Sequence, residues 1–323
     1  MNVLVVGGAG YIGSHTAKTL KKAGFTPVVF DNLSTGHRWA VRWGSLVEAD
    51  LADKRAILQA IRDHQIEAVI HFAANAYVGE SMQNPAKYFR NNVANMLNLL
   101  EAQLESGVKY IVFSSSCTTY GIPERIPISE DFPQSAISPY GESKLMGEKM
   151  LKWFGEGHGL GWVALRYFNA SGADPEGETG EVHDPETHLI PLVIEAALGR
   201  RPPVKIFGTD YPTPDGTAIR DYIHVMDLAE AHVQALQYLL EGGSPTAFNL
   251  GTGHGHSVRE VIAAVEQVGG RKVPALEAPR RAGDPPALVA DPSKARRILD
   301  WEAQYEDLNQ IVETAWRFAE NRK

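Results

Sequence analysis

The strongest constraint on this chain lies in its first thirteen residues. Val3-Leu4-Val5-Val6 is a short, β-branched apolar run of the kind that a parallel sheet buries on both faces. Gly7-Gly8-Ala9-Gly10-Tyr11-Ile12-Gly13 follows at once, and a helical pattern then runs through Leu20. Glycines at such a turn let the backbone bend tightly and approach a pyrophosphate, which the free N–H groups and dipole of the next helix attract. The spacing is Gly7-x-x-Gly10-x-x-Gly13 rather than G-x-G-x-x-G, and alone it also suits an ordinary strand-to-helix turn.

The next strand ties the loop to a dinucleotide. Thr26 to Phe30 ends at Asp31, roughly 20 residues beyond the glycines, where a carboxylate bonds a ribose hydroxyl. The same charge repels a 2′-phosphate, so NAD is expected rather than NADP. Alternation continues with a helix near Asp53 to His64, a strand at Ala68 to Ala73, a helix from Pro85 to Ser106 and a strand at Tyr110 to Ser115. That order predicts right-handed crossovers and an α/β fold, a doubly wound parallel sheet of the Rossmann kind with a second, smaller mixed α/β domain.

Loops leaving the carboxyl ends of the strands line the cofactor crevice of such a sheet. The first turn assigns Gly7, Gly10, Tyr11, Ile12 and Gly13 to the cofactor. The second assigns Asp31, Asn32, Ser34, Thr35 and Gly36, and the third Asp50 and Leu51. Phe72, Ala73 and Ala74 lie at the end of the Ala68 to Ala73 strand, and Ser114 near the end of the Tyr110 to Ser115 strand. Ser114-Ser115-Ser116 is either a polar strand end or the source of a hydroxyl for a reacting oxygen.

Beyond it, Tyr140-Gly141-Glu142-Ser143-Lys144 places a phenol and an ammonium four residues apart, on one helix face. Ser138 suits an N-cap and Pro139 the first helical position. Making a Tyr basic near neutrality needs a shift of roughly 3 pKa units, or about 4 kcal/mol, which one close cation at an effective dielectric of about 20 supplies.

Composition then narrows the class. A net charge of -8 without a Lys or Arg run excludes a general nucleic-acid or anionic-membrane binder. The single Cys117 excludes an internal disulfide framework, and Met1-Asn2 leads straight into the first strand, so a cytoplasmic protein is expected. No His, Cys or Asp cluster has metal-ligand spacing, so no metal is expected. After Phe168 the chain turns abruptly polar through Asn169 to Glu178, which marks the domain boundary: 1–169 and 170–323. In the second part Arg220 and Arg281 match a diphosphate bidentately or else form ion pairs.

The glycine loop, Asp31, the serine run and Tyr140 with Lys144 together resemble the extended short-chain dehydrogenase/reductase family. Tyr167-Phe168-Asn169, Arg220-Asp221-Tyr222-Ile223-His224-Val225-Met226-Asp227-Leu228, Asn249-Leu250-Gly251-Thr252-Gly253 and Arg280-Arg281-x-Gly283-Asp284 extend the resemblance over nearly the whole chain, toward its UDP-hexose 4-epimerase branch. The resemblance implies that Tyr140 is the base, that Lys144 holds the nicotinamide ribose and lowers the Tyr pKa, and that Ser116 assists at the sugar hydroxyl. It places Asn91 and Phe168 at the cofactor. It makes Arg220 and Arg281 substrate cations and adds Ser116, Asn169, His188, Phe207, Tyr222 and Asp284 as UDP-sugar contacts.

The same resemblance implies that segments near 220–250 return to the nucleotide lobe. It also implies a homodimer through the helices at Pro85 to Ser106 and Glu142 to Phe154, and reversible 4-epimerisation of UDP-glucose and UDP-galactose on bound NAD. Leu288 stands where bulk bears on a 2-N-acetyl group, and His188 replaces an Asn of some relatives. A 4,6-dehydratase would carry an acid after the serine run, where this chain has Cys117-Thr118-Thr119. A non-catalytic dinucleotide sensor would need the glycine loop but not the Ser, Tyr and Lys.

Overall fold

The computed structural model describes residues 1–281 and 284–322; Gly283 of the Arg280-to-Asp284 motif lies outside the described residues. The first half runs β1 (Asn2–Val6), α1 (Tyr11–Lys22), β2 (Thr26–Asp31), β3 (Ser45–Glu48), α2 (Lys54–Asp63) and β4 (Ala68–His71). It continues through α3 (Val78–Gln83), α4 (Pro85–Tyr88), α5 (Asn95–Ser106), β5 (Tyr110–Ser114), α6 (Pro139–His158) and β6 (Gly161–Tyr167). The second half holds β7 (Asn169–Ser171), α7 (Leu189–Ala197), β8 (Val204–Phe207), β9 (Ile219–Arg220), β10 (Tyr222–His224) and α8 (Val225–Leu240). Then come β11 (Thr246–Leu250), β12 (His256–Ser257), α9 (Val258–Gly269), β13 (Ala275–Ala278), β14 (Ala287–Leu288), α10 (Ser293–Leu299) and α11 (Leu308–Asn321).

Seven of the strands form one parallel sheet in the order β11-β6-β5-β4-β1-β2-β3. The apolar run in β1 is explained by its two neighbours: Val3 and Val5 pack into one layer with α8, and Leu4 and Val6 into the other with α2 and α5. Each such side chain contributes about 1.5–3 kcal/mol when fully buried. The chain order reverses between β1 and β4, which opens a crevice at the carboxyl ends of those strands. β11 joins this sheet on β6 from far along the sequence, with Leu250 opposite Tyr167.

The remaining short strands pair locally: β7 with β10, β8 with β13, and β9 between β12 and β14. They surround a separate apolar core built from α7, α9 and α11 with Ile190, Val261, Ile311 and Trp316. Among the described residues no helix is long and apolar enough to cross a membrane.

Three local differences from the expected elements have physical causes. The single helix expected over Pro85 to Ser106 is interrupted by a π-helical stretch at Phe89–Ala94. There the buried Asn92 reaches out to Asn75 N–H at 2.9 Å, Asn75 carbonyl at 3.0 Å and Ser143 Oγ at 3.0 Å, and a widened turn accommodates such an insertion. β3 is an edge strand with no fully buried residue, so it lacks the apolar signature that marks the inner strands. β4 and β5 each end earlier than expected, because the chain there turns off the sheet into the crevice loops.

Candidate active site

The glycine turn is held by packing on two sides. Gly7 has φ +80°, and a Cβ there would lie 2.5 Å from the Ala73 nitrogen. One at Gly13 would lie 2.3 Å from the Gly7 oxygen. Both positions exclude larger residues. Gly10 caps α1 with extended backbone and no side-chain hydrogen bond, and no acid stands in the first turn, so no side chain compensates the helix N-terminus.

Asp31 at the end of β2 accepts the Ala9 N–H at 2.9 Å and the Leu33 N–H at 2.8 Å. Burial raises its pKa and those two donors oppose the shift. Asn32 donates to Asp50 at 2.7 Å and accepts from Ser34 N–H at 3.0 Å, which ties the second and third crevice loops together. A Cβ at Gly36 would press on Ala9 at 2.9 Å, which brings that loop over the first turn. The Tyr11 hydroxyl reaches across to the Gly172 carbonyl at 2.6 Å. A cradle of open helix N-terminus, close-packed glycines and a fixed ribose-side carboxylate fits a dinucleotide.

At the same sheet edge, Ser138 accepts the Gly141 N–H at 3.1 Å and Pro139 takes the first turn, so α6 begins where the sequence places it. Tyr140 and Lys144 are both buried. Lys144 Nζ lies 6.0 Å from the centre of the Tyr140 ring. Burial raises the Tyr140 pKa, Tyr167 adds to this, and the Ser116 hydroxyl opposes it. Burial pulls Lys144 down to about 7, against the attraction of Glu148. In the protein alone low dielectric pushes both groups toward their neutral forms, which opposes the lowering of the phenol pKa expected from Lys144.

Ser116 Oγ accepts from Thr118 N at 3.2 Å and is in contact with Thr118 Oγ1 at 2.9 Å. Ser114 bonds the Tyr167 hydroxyl and turns its carbonyl to Lys144. Phe72, Ala73 and Ala74 leave β4 beside the glycine turn, with Phe72 and Ala73 N–H both bonded to Val6 carbonyl. Asn91 donates to Asn92 at 3.0 Å, and it is Asn92, whose place in the helix could as well have faced solvent, that is buried against Ser143.

The substrate candidates fall into two groups. Arg220 and Arg281 share one carboxylate, Asp284, at 2.7 and 2.9 Å, and the Arg281 guanidinium lies 5.1 Å over the Phe207 ring. Two guanidinium groups on one carboxylate leave a net positive charge, and both cations oppose the burial that raises the Tyr222 pKa. Asn169 pairs with Tyr222 across β7 and β10. Phe168 packs with Cys117, Ile128 and Leu288 in a small apolar cluster.

His188 is held elsewhere. Its ring contacts Glu181, and its backbone N–H donates to Glu186 at 2.9 Å. Glu181, His183, Glu186 and His188 bring four donor atoms within 4.8 Å of one another. The sequence expectation that no metal-ligand cluster exists is thereby corrected, because a single loop folds Glu-x-His-x-x-Glu-x-His back on itself.

A network unnoticed in the sequence lies behind the serine run. Arg166 on β6 and Glu148 on α6 form a buried ion pair at 2.6 Å. Ser115 also bonds Glu148, and Arg166 continues through Tyr120 at 2.8 Å to Asn249 at 2.8 Å. Lys18 is likewise buried, with Asp174 at 2.7 Å, Glu176 at 2.6 Å and Glu178 at 2.8 Å. No local spacing rule finds such pairs, since the partners lie far apart in sequence.

The profile of the NAD dependent epimerase/dehydratase family matches residues 3–251. A UDP-glucose 4-epimerase of Rhizobium meliloti is 53% identical over 321 residues, 99% of this chain and 98% of its own. The solved UDP-glucose 4-epimerase of Brucella ovis in complex with NAD has a TM-score of 0.96 and 55% identity, covering 98% of both chains. That of Bifidobacterium longum in complex with NAD+ and UDP has a TM-score of 0.95 and 37% identity, covering 99% of both.

Proposed function

The chain belongs to the NAD dependent epimerase/dehydratase family, and from that premise we propose that it interconverts UDP-glucose and UDP-galactose at C4. The observation that carries the proposal is the burial of Tyr140 and Lys144 together at the carboxyl edge of the sheet, beside Ser116 at the start of the loop following β5. NAD, when bound, supplies the hydride acceptor, a positive charge, and the return of the hydride. Gly7, Gly10 and Gly13 admit its pyrophosphate to the N-terminus of α1, and Asp31 takes a ribose hydroxyl.

Tyr140 removes the proton of the sugar 4-OH as the C4 hydrogen leaves as hydride, and a 4-keto sugar results. Ser116 holds the reacting oxygen. Arg220 and Arg281 grip the diphosphate in place of their shared Asp284, while the keto sugar turns over about its phosphate linkage. Tyr140 then returns its proton to the C4 oxygen as hydride returns to the opposite face of C4, so the redox state ends where it began. Cys117, Thr118 and Thr119 follow Ser116 without a carboxylate, which favours epimerisation over elimination.

Residues 1–169 form the NAD lobe in this reading and 170–323 the UDP-sugar lobe, with β11 returned to the first. The protein acts in the cytoplasm as a homodimer, and the exposed Leu97 on α5 and Trp153 on α6 suit the paired interface. Incubation of purified protein with UDP-galactose and no added NAD tests the function. UDP-glucose as product supports it; a dehydrated sugar or no product overturns it.

A further inference from the structure

Glu181, His183, Glu186 and His188 lie on one loop just before α7, and of the four only His188 is expected, from the family resemblance, to touch the UDP-sugar. His183 Nδ1 is 3.1 Å from Glu181 and 3.5 Å from Glu186, and His188 Nδ1 is 3.7 Å from Glu186. His188 and Glu181 are closer still. Four ligands bound at about 2.0–2.1 Å to one tetrahedral ion stand roughly 3.3–3.4 Å apart. The three longer separations bracket that edge length.

A second observation concerns His183. Its Nδ1 is shut off from solvent and makes no hydrogen bond, although Glu181 lies 3.1 Å away. Close approach without hydrogen-bond alignment is how two ligands of a common cation sit. Edge-on contacts from Tyr11 and Tyr77 hold the His183 ring. Glu181, His183 and Glu186 also line a cavity of about 250 Å³, which gives an ion a way in. The loop is already ordered: Tyr11, Ser14 and Lys18 on one face of α1 bond Gly172, Thr179 and Asp174, so little ordering remains to be done on binding.

We infer that Glu181, His183, Glu186 and His188 form a binding site for a divalent transition-metal ion. Two imidazoles and two carboxylates in tetrahedral reach suit Zn²⁺. An ion there engages His188 and withholds it from the UDP-sugar, so it slows turnover. That consequence rests on the function proposed above; the site itself does not.

The test is a titration of the NAD-loaded full chain with Co²⁺, whose visible absorption reports tetrahedral coordination, followed by displacement with Zn²⁺. A stoichiometric band is expected in the parent. Zn²⁺ should bind roughly tenfold or more weakly in His183→Gln and, separately, in Glu186→Gln, with the fold of each confirmed by circular dichroism. Glu181→Gln replaces either variant that does not fold. Zn²⁺ should slow UDP-galactose conversion by the parent and lose about the same factor of potency in the variants. No band in the folded parent, or bands unchanged in the folded variants, overturns the site. A band that needs these residues in a chain that never converts UDP-galactose leaves the site standing and sinks the epimerase reading instead.

Discussion

The Lys144 ammonium donates to the backbone carbonyl of Ser114 at 2.7 Å, stitching α6 to the carboxyl end of β5. The bond sets the separation of 6.0 Å between Nζ and the Tyr140 ring. At an effective dielectric of about 20, a charged Lys144 at that range is worth about 3 kcal/mol to the phenolate, or roughly 2 pKa units. Burial works against it and leaves the phenol raised. Lys144 alone therefore brings Tyr140 only part of the way toward a base.

Lys144→Met keeps the length of the side chain, removes the charge and leaves the Ser114 carbonyl without its donor. Turnover of UDP-galactose should fall by about 10²-fold or more. Steady-state kinetics on the folded variant, reloaded with NAD, measures it. A variant within a few-fold of the parent would sink the role given to Lys144.

Arg220 is only 12% exposed at its side chain, against 60% for Arg281. Its loss removes the better-shielded of the two cations. Arg220→Met should raise the KM for UDP-galactose by on the order of 10-fold to 10²-fold, the range of a charge-assisted hydrogen bond of about 1.5–3 kcal/mol. Little change is expected in kcat, since the diphosphate is bound alike before and during hydride transfer. An unchanged KM contradicts the diphosphate assignment.

The Glu148–Arg166 pair carries a stability prediction. Both side chains are under 10% exposed, at 7% and 8%. Glu148→Gln leaves a buried guanidinium short of its counter-charge and should cost about 3–5 kcal/mol, read as a lower urea midpoint. Glu148→Leu combined with Arg166→Met should recover most of that loss, because neither charge is then buried alone. A double variant as unstable as the single one would show that the pair acts through some other contact.

Buried histidines set the acid limb of stability. Burial lowers His15 and His232 to about 4, and His71 and His224 to about 3. Because these folded values lie below the unfolded value of about 6.5, the stability they contribute is present above that pH and is lost as pH falls through it. Four protons correspond to a limiting slope of about 5 kcal/mol per pH unit. Asp227 is raised to about 6 by burial, so it favours the folded state as pH falls from about 6 toward 4 and trims the slope. Urea midpoints between pH 7 and 5 should drop accordingly, and His232→Phe should remove roughly a quarter of the histidine slope. Constant midpoints over that range would contradict the account.

The inner strands and the start of α6 were legible because local signals agree there. Val3 to Val6 reads as a two-sided strand, and Ser138 with Pro139 reads as a helix start. β3 was not, because an edge strand needs few apolar residues. The π-helical turn at Phe89–Ala94 depends on what Asn92 meets from Asn75 and Ser143, which no window around it contains. Arg220 and Arg281 were legible as cations, but their sharing of Asp284 is a tertiary fact. The raised Tyr140 and lowered Lys144 pKa values come from burial, which residue types four apart do not report.

The central claim is that the hydrogen at C4 leaves the sugar and returns to it without exchanging with solvent or with an external pool. UDP-galactose carrying deuterium at C4, incubated with the purified protein and no added NAD, tests it by mass and NMR analysis of the product. UDP-glucose with deuterium retained at C4 is the expected product. UDP-glucose with the label washed out into water, or a product that has lost the C6 hydroxyl, would contradict the claim.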